Sequence, residues 1–152
     1  MTRTVKGMLA DANASVPRLS PAEAGDRIRS GDALVVDVRD AAEVQQSGKL
    51  KGAVNVSRGL LEFRADPDSP SHNPAFRKDR TILLHCASGG RSALAARTLQ
   101  EMGYTAVFNI GGFKELADAG IETEPASSWM RAADSNDLRR VCDITERSPR
   151  LT

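Results

Sequence analysis

The chain has 152 residues, which is enough for one domain with its own core and too few for two domains of ordinary size. Its 21 lysines and arginines nearly balance 20 acidic residues, so no overall field would attract nucleic acid or an anionic membrane. No apolar stretch approaches the ~20 residues that cross a bilayer, and the N-terminus lacks the apolar segment of a secretory signal. We expect a cytoplasmic protein that binds neither nucleic acid nor a membrane.

Two helices are predicted near the N-terminus. Val5, Met8 and Leu9 stand at helical spacing, which favours an amphipathic helix docked on the domain. Ser20 then provides a helix cap, the proline after it suits the first helical position, and Glu23 completes a capping box.

The rest of the chain up to about residue 120 alternates short apolar segments with helical patterns. The apolar segments are rich in valine, isoleucine and leucine and are bounded by polar residues, which is typical of buried strands. Such alternation favours an α/β fold with parallel strands and helices on the sheet faces. The strands are predicted at 33–38, 53–57, 81–85 and 105–110, and the helical segments after them at 41–47, 59–66, 91–102 and 111–120.

Cysteine and histidine are scarce. Cys86 and Cys142 are too few for a disulfide framework, and the cytosol would keep both as thiols. Neither these residues nor the two histidines stand at chelating spacing. The sequence therefore predicts no metal and no other cofactor, and it leaves a reduced thiol available as a reagent.

Cys86 stands where ligands of parallel sheets usually bind, at the carboxyl end of a predicted strand. Gly89 and Gly90 can adopt the positive φ values that turn successive amides toward one point and form an anion-binding nest. Arg91 and Ser92 begin the next helix, whose positive end would also face the sulfur. Both effects favour the thiolate, which is the nucleophilic form of cysteine.

Several charged residues are predicted at the same edge of the sheet. Arg39 and Arg58 would add positive charge there, and Asp37 or Glu43 would pair with an arginine. The spacing leaves open which acid pairs with which base. We interpret His85 as a hydrogen-bonded core residue of its strand.

Taken in order, four segments resemble the rhodanese family across roughly Leu19 to Gly120. They are LVVDVRDAAEV, GKLKGAVNVSRG, CASGGRS and EMGYTAVFNIGGFKEL. The resemblance implies a single rhodanese-like domain with a central parallel sheet of about five strands, flanked by helices on both faces. We place this domain at 19–124, with an N-terminal helical extension at 1–18 and a polar C-terminal tail at 125–152 that we expect to be partly disordered.

The resemblance also implies a chemistry. Members of the family move sulfane sulfur from a donor such as thiosulfate to cyanide or a thiol, and a protein acceptor is a further expectation. Cys86 corresponds to the nucleophile that carries the sulfur as a persulfide. The backbone that would hold the transferred sulfur runs through Ala87, Ser88, Gly89, Gly90 and Arg91.

The length of this loop separates the leading hypothesis from its alternatives. The loop from Cys86 to Arg91 has six residues. The resemblance implies that six-residue loops go with sulfur transfer, whereas the loops of phosphatases and arsenate reductases on this fold have seven residues. The alternatives are a small cysteine phosphatase or arsenate reductase, or a non-catalytic sulfur carrier or interaction module. The sequence leaves open the physiological donor and acceptor, the oligomeric state and any role of Cys142.

Overall fold

The computed structural model describes residues 2–126, and Cys142 and the tail from residue 127 onward lie outside the described residues. Among the residues described, no helix is long and apolar enough to cross a membrane.

Both N-terminal helices are present, but Val5 and Met8 of the predicted docking face are exposed, and Ala12 is the buried residue of the first helix. Helix α1 (Val5–Ser15) packs along the later helix α5 (Gly90–Glu101), and the side-chain amide of Gln100 on that helix donates to the Ser15 carbonyl at 2.9 Å. Helix α2 (Pro21–Ser30) begins with the predicted capping box, because the Ser20 hydroxyl accepts from the Glu23 amide while the Glu23 carboxylate accepts from the Ser20 amide.

A parallel sheet of four strands forms the centre of the molecule, and its strands lie in the order β3 (Val54–Asn55), β1 (Leu34–Asp37), β4 (Ile82–Cys86) and β5 (Val107–Gly112). A helical segment follows each of these four strands, as predicted, and the strand that ends at Gly112 runs through both glycines that were expected to open a helix. The elements after α2 are β1 (Leu34–Asp37), α3 (Ala41–Ser47), β2 (Lys49–Leu50), β3 (Val54–Asn55), a 3₁₀ turn (Arg58–Leu60), α4 (Leu61–Ala65), β4 (Ile82–Cys86), α5 (Gly90–Glu101), β5 (Val107–Gly112), α6 (Phe113–Asp118) and β6 (Thr123–Glu124).

The central sheet has four strands where about five were expected. Beside β5, Arg18 makes one isolated parallel bridge to Asn109. In this bridge the Asn109 amide donates to the Pro17 carbonyl, and the Leu19 amide donates to the Asn109 carbonyl. This edge cannot lengthen into a strand, because proline has no amide hydrogen and Ser20 already caps α2. A separate antiparallel pair, β2 with β6, was not predicted, since two-residue strands carry no periodic signal.

Helices cover both faces of the sheet, as the fold class predicts. Alternate residues of β1 and β4 point to opposite faces, so Val36 and Leu84 pack beneath α4 and α5 while Val35 and Leu83 pack beneath α2 and α6. Burying each such side chain stabilises the fold by about 1.5–3 kcal/mol. Cys86 belongs to the first of these faces, which places its sulfur beside the start of α5.

Candidate active site

Cys86 is the last residue of β4 and is fully buried. The chain leaves the carboxyl edge of the sheet there and turns at Gly89, whose φ of +101° is in the left-handed region that favours glycine. Helix α5 begins at the next residue. Ala87 and Ser88 are exposed, so they form the side of the loop that faces solvent.

The Cys86 sulfur lies within reach of several donors. The Gly89 amide donates to Sγ at 3.0 Å, and the Ser92 hydroxyl lies 3.5 Å from it. Burial is the largest single influence on the pKa of the thiol and raises it. Hydrogen bonds from the hydroxyl and amide of Ser92 and from the amides of Ser88 and Gly89 together outweigh burial, so the pKa of Cys86 is lowered. The predicted loop therefore stabilises the thiolate.

A buried polar network holds Ser92 in place. Its hydroxyl lies 2.8 Å from Asn109 Oδ1 and 3.1 Å from the Gly89 carbonyl oxygen, to which Asn109 Nδ2 also donates at 3.1 Å. The Gly111 amide donates to the same Oδ1 at 3.0 Å. Asn109 was not predicted as a site residue. The feature that could have indicated it is an amide side chain inside an otherwise apolar strand.

Gly112 has a steric role that sequence spacing did not reveal. It lies beside Cys86 in the sheet register, and a Cβ on it would come within 2.4 Å of the Ala87 carbonyl oxygen. Glycine is required there because the cysteine loop approaches the backbone of β5 so closely.

Arg91 pairs with Glu43, which resolves one of the open assignments. The guanidinium donates to both carboxylate oxygens, at 2.8 and 2.9 Å, and each side chain is 37% exposed. The hydrogen bond from Arg91, followed by that from the Asp40 amide, lowers the pKa of Glu43 to about 2, and the same pair raises the pKa of Arg91. The Arg91 side chain is thus tied to α3.

Asp37 and Arg39 form the other pair, and both are buried. Arg39 donates to the two Asp37 oxygens at 2.8–3.1 Å and stacks over Phe113, with 4.3 Å from Cζ to the ring centroid. Breaking a buried pair of this kind costs about 3–5 kcal/mol, so it rigidifies the edge that carries the loop. Arg58 instead donates to Glu62 and to Thr98.

His85 is buried next to the cysteine and faces this ion pair. Its Nδ1 lies 3.4 Å from the Cys86 carbonyl oxygen, its Nε2 lies 3.8 Å from Asp37 Oδ2, and its ring stacks on Phe113. Burial, the largest influence, lowers the pKa of His85, which favours a neutral ring. This geometry agrees with the interpretation of His85 as a core residue.

Of the predicted loop residues, Ser88 and Gly89 donate to the sulfur through their backbone amides. The structure shows that Ser92, Asn109 and Gly112 also shape the site, and that the Arg91 side chain is hydrogen-bonded to the Glu43 carboxylate. Across residues 2–126, no group of three or more histidine, cysteine, aspartate or glutamate side chains is placed to hold a metal ion. The domain is thus an α/β fold that holds a thiol of lowered pKa at the carboxyl edge of its parallel sheet and at the start of a helix, an environment that favours the thiolate.

A family model for the rhodanese-like domain matches residues 20–119, so the chain belongs to the rhodanese-like domain family. Thiosulfate sulfurtransferase PspE of Escherichia coli is 34% identical over 82 residues, which are 54% of this chain and 72% of that protein. Thiosulfate sulfurtransferase GlpE of Actinobacillus succinogenes is 32% identical over 112 residues, which are 71% of this chain and 90% of that protein.

A solved structure from Rhodopseudomonas palustris is similar over a larger part of the chain. It is 44% identical, covers 82% of this chain and 96% of its own, and superposes with a TM-score of 0.77. That protein is described as one of unknown function and a possible tyrosine phosphatase. The proteins similar to this chain thus carry two different descriptions, thiosulfate sulfurtransferase and possible tyrosine phosphatase.

Proposed function

We propose that this protein is a sulfurtransferase that carries sulfane sulfur as a persulfide on Cys86. The observation that carries the proposal is the six-residue loop from Cys86 to Arg91, which closes on the sulfur with the Gly89 amide 3.0 Å from Sγ. Amides that stabilise the thiolate are also placed to stabilise a terminal persulfide sulfur, which bears the same negative charge one bond further out. The thiosulfate sulfurtransferases similar to this chain support the assignment.

The proposed cycle has two displacements. In the first, the Cys86 thiolate attacks the outer sulfur of thiosulfate, the S–S bond breaks, and sulfite leaves with the electron pair. In the second, cyanide or a thiolate attacks the terminal sulfur, so thiocyanate or a new persulfide departs and the Cys86 thiolate returns. No proton, metal or cofactor is required in either step, and we place the reaction in the cytoplasm, where the thiol stays reduced.

The mass of the intact protein tests this proposal. Incubation with thiosulfate should add ~32 Da, the mass of one sulfur, and a reductant should remove it. Cys86→Ala should abolish the gain, whereas Cys142→Ser should retain it because the proposed persulfide forms on Cys86. No gain in the unsubstituted protein, or a gain that persists in Cys86→Ala, would contradict the proposal.

A second candidate is a cysteine phosphatase, because the similar Rhodopseudomonas palustris protein is described as a possible tyrosine phosphatase. Phosphatases need a general acid to protonate the leaving group, and an effective one has a pKa near the working pH. Glu43, the carboxylate bound to the loop's Arg91, is held ionised by a pKa of about 2. Glu43 is therefore unsuited to that role, which favours sulfur transfer, whose leaving group needs no proton.

Loop length gives a direct comparison of the two candidates. Both thiosulfate:cyanide transfer and aryl phosphate hydrolysis should be measured on the unsubstituted protein and on a variant with one glycine inserted between Gly90 and Arg91. We expect transfer alone from the six-residue loop, and its loss on insertion. Aryl phosphate hydrolysis that depends on Cys86 and exceeds sulfur transfer in the unsubstituted protein would reverse the assignment.

A further inference from the structure

The Arg18 side chain extends over the cysteine loop from outside the four-stranded sheet. A Cβ built on Gly89 would lie 3.8 Å from its Nη1, and one built on Gly111 would lie 3.0 Å from its Nη2. Its own backbone is held against β5 by the bridge to Asn109. The guanidinium therefore occupies the space above two glycines, one in the loop and one in the adjacent strand.

This guanidinium keeps its donors available. Its nearest paired carboxylate oxygen belongs to Glu115 and is 3.9 Å away, which is beyond hydrogen-bond distance, and the side chain is 56% exposed. The guanidinium groups of Arg39, Arg58 and Arg91 are all hydrogen-bonded to carboxylates. Within the described part of the chain, Arg18 is the cation beside the loop whose hydrogen bonds are not already satisfied.

The Arg18 guanidinium lies near the sulfur, with Gly89 adjacent to both groups. The Gly89 amide contacts Cys86 Sγ at 3.0 Å and the same residue lies under the guanidinium, so charge and sulfur are within roughly 10 Å. That separation is comparable with the Debye length of about 8 Å at physiological ionic strength, so screening is incomplete. An anion that approaches the sulfur thus meets a cation with free donors.

We propose that Arg18 forms an anion subsite that recruits and orients an anionic electrophile for Cys86. The inference deepens the proposed function and rests on it for the natural ligand, a sulfur donor that ends in an oxyanion group such as the sulfonate of thiosulfate. The guanidinium fork binds two oxygens of that group while the outer sulfur meets the thiolate. When the S–S bond breaks, the electron pair leaves on sulfite, and Arg18 stabilises the added charge.

The subsite makes the protein selective for charge in its donor. An anionic donor gains both a higher local concentration and a fixed orientation, and a neutral electrophile of similar size gains neither. Glu115 opposes this effect, because its carboxylate lies beside the guanidinium and repels the same anions. Removing each charge should therefore shift selectivity in opposite directions.

Alkylation of Cys86 by iodoacetate and by iodoacetamide tests the subsite without any assumption about sulfur transfer. The two reagents differ in one negative charge and form the same kind of thioether. Rates should be measured by mass spectrometry in a Cys142→Ser background, so that one thiol reacts. Arg18→Gln should lower the iodoacetate rate about three- to tenfold and leave the iodoacetamide rate unchanged.

Four controls accompany this measurement. Arg18→Lys should keep most of the iodoacetate rate, Glu115→Gln should increase it, and 1 M salt should remove most of the difference between Arg18→Gln and the parent protein. Arg77→Gln makes the same charge change at a similarly exposed arginine that precedes β4, at the opposite edge of the sheet, and should have no effect.

The outcome also separates this inference from the proposed function. Equal loss of both alkylation rates in Arg18→Gln, or equal iodoacetate rates in Arg18→Gln and Arg77→Gln, would overturn the subsite. If the protein gains no sulfur from thiosulfate but shows the expected alkylation contrast, the anion subsite stands and the sulfur chemistry fails. If sulfur transfer occurs, Arg18→Gln should raise the KM for thiosulfate about three- to tenfold.

Discussion

Replacing Ser92 with alanine should make Cys86 a weaker nucleophile at neutral pH. The Ser92 hydroxyl lies 3.5 Å from the sulfur, and it is the largest of the influences that lower the pKa of the thiol against the opposing effect of burial. Alanine removes that donor and leaves burial in place. The pKa of Cys86 should therefore rise, and the thiolate fraction at pH 7 should fall.

The size of the effect follows from the geometry. A hydrogen bond to a charged group contributes about 1.5–3 kcal/mol, and the long contact of Ser92 to sulfur belongs at the lower end. About 1.4 kcal/mol corresponds to a tenfold change in the ratio of thiolate to thiol. Asn109 Oδ1 retains the Gly111 amide as a partner at 3.0 Å, so the fold should lose only about 1 kcal/mol.

The assay is the pH dependence of iodoacetamide alkylation in a Cys142→Ser background. The midpoint of the profile should move to higher pH in Ser92→Ala, with an unchanged plateau at high pH where the thiol is fully ionised. Ser57→Ala is the matched control, a partly buried serine at the same edge of the sheet with no hydrogen bond to the sulfur among the described contacts. Superimposable profiles for Ser92→Ala and the parent would refute the assigned role of the hydroxyl.

Two further predictions concern the loop and its ion pair. Gly112→Ala should destabilise the fold by about 2 kcal/mol or more and slow alkylation of Cys86, because the new Cβ would lie 2.4 Å from the Ala87 carbonyl oxygen. Gly59→Ala is the control and should be tolerated, because no atom lies near the added Cβ. The lowered pKa of Glu43 means that its pair with Arg91 stabilises the fold above the usual glutamate pKa, and that this stabilisation is lost as the pH falls from there toward 2. Glu43→Gln removes the titrating carboxylate, so the free energy of unfolding should fall less steeply across that pH range. Solvent screening keeps the contribution below about 1 kcal/mol, and urea titrations across that range measure it; an unaltered slope would contradict the assignment.

Features that depend on neighbouring residues in the chain were predictable. The capping box at Ser20, the helix Ala41–Ser47 and the turn at Gly89 each follow from a few consecutive residues, and all three are present. The position of Cys86 at the carboxyl end of a parallel strand followed from the alternation of strands and helices. The number of strands was less accurate, because the bridge at Arg18 is a single pair with no periodic pattern.

Partners that come from distant segments were not predictable. Glu43 and Arg91 are 48 residues apart, and spacing allowed either acid to pair with either base. Asn109 reaches Ser92 across 17 residues only because β5 lies beside β4 in the sheet. Such contacts depend on strand order and register, which no local pattern encodes.

The sequence by itself determined the loop that follows the cysteine, because Cys86, the two glycines and Arg91 lie within six consecutive residues whose local geometry favours a thiolate. The tertiary structure decided how that thiolate is supported and what approaches it. The serine hydroxyl beside the sulfur also lies 2.8 Å from an asparagine oxygen of the next strand, and the arginine beside the loop comes from the edge of the sheet. These side chains meet only after the helices and strands have packed, since hydrogen bonds and charges act over a few ångströms in space and not along the chain.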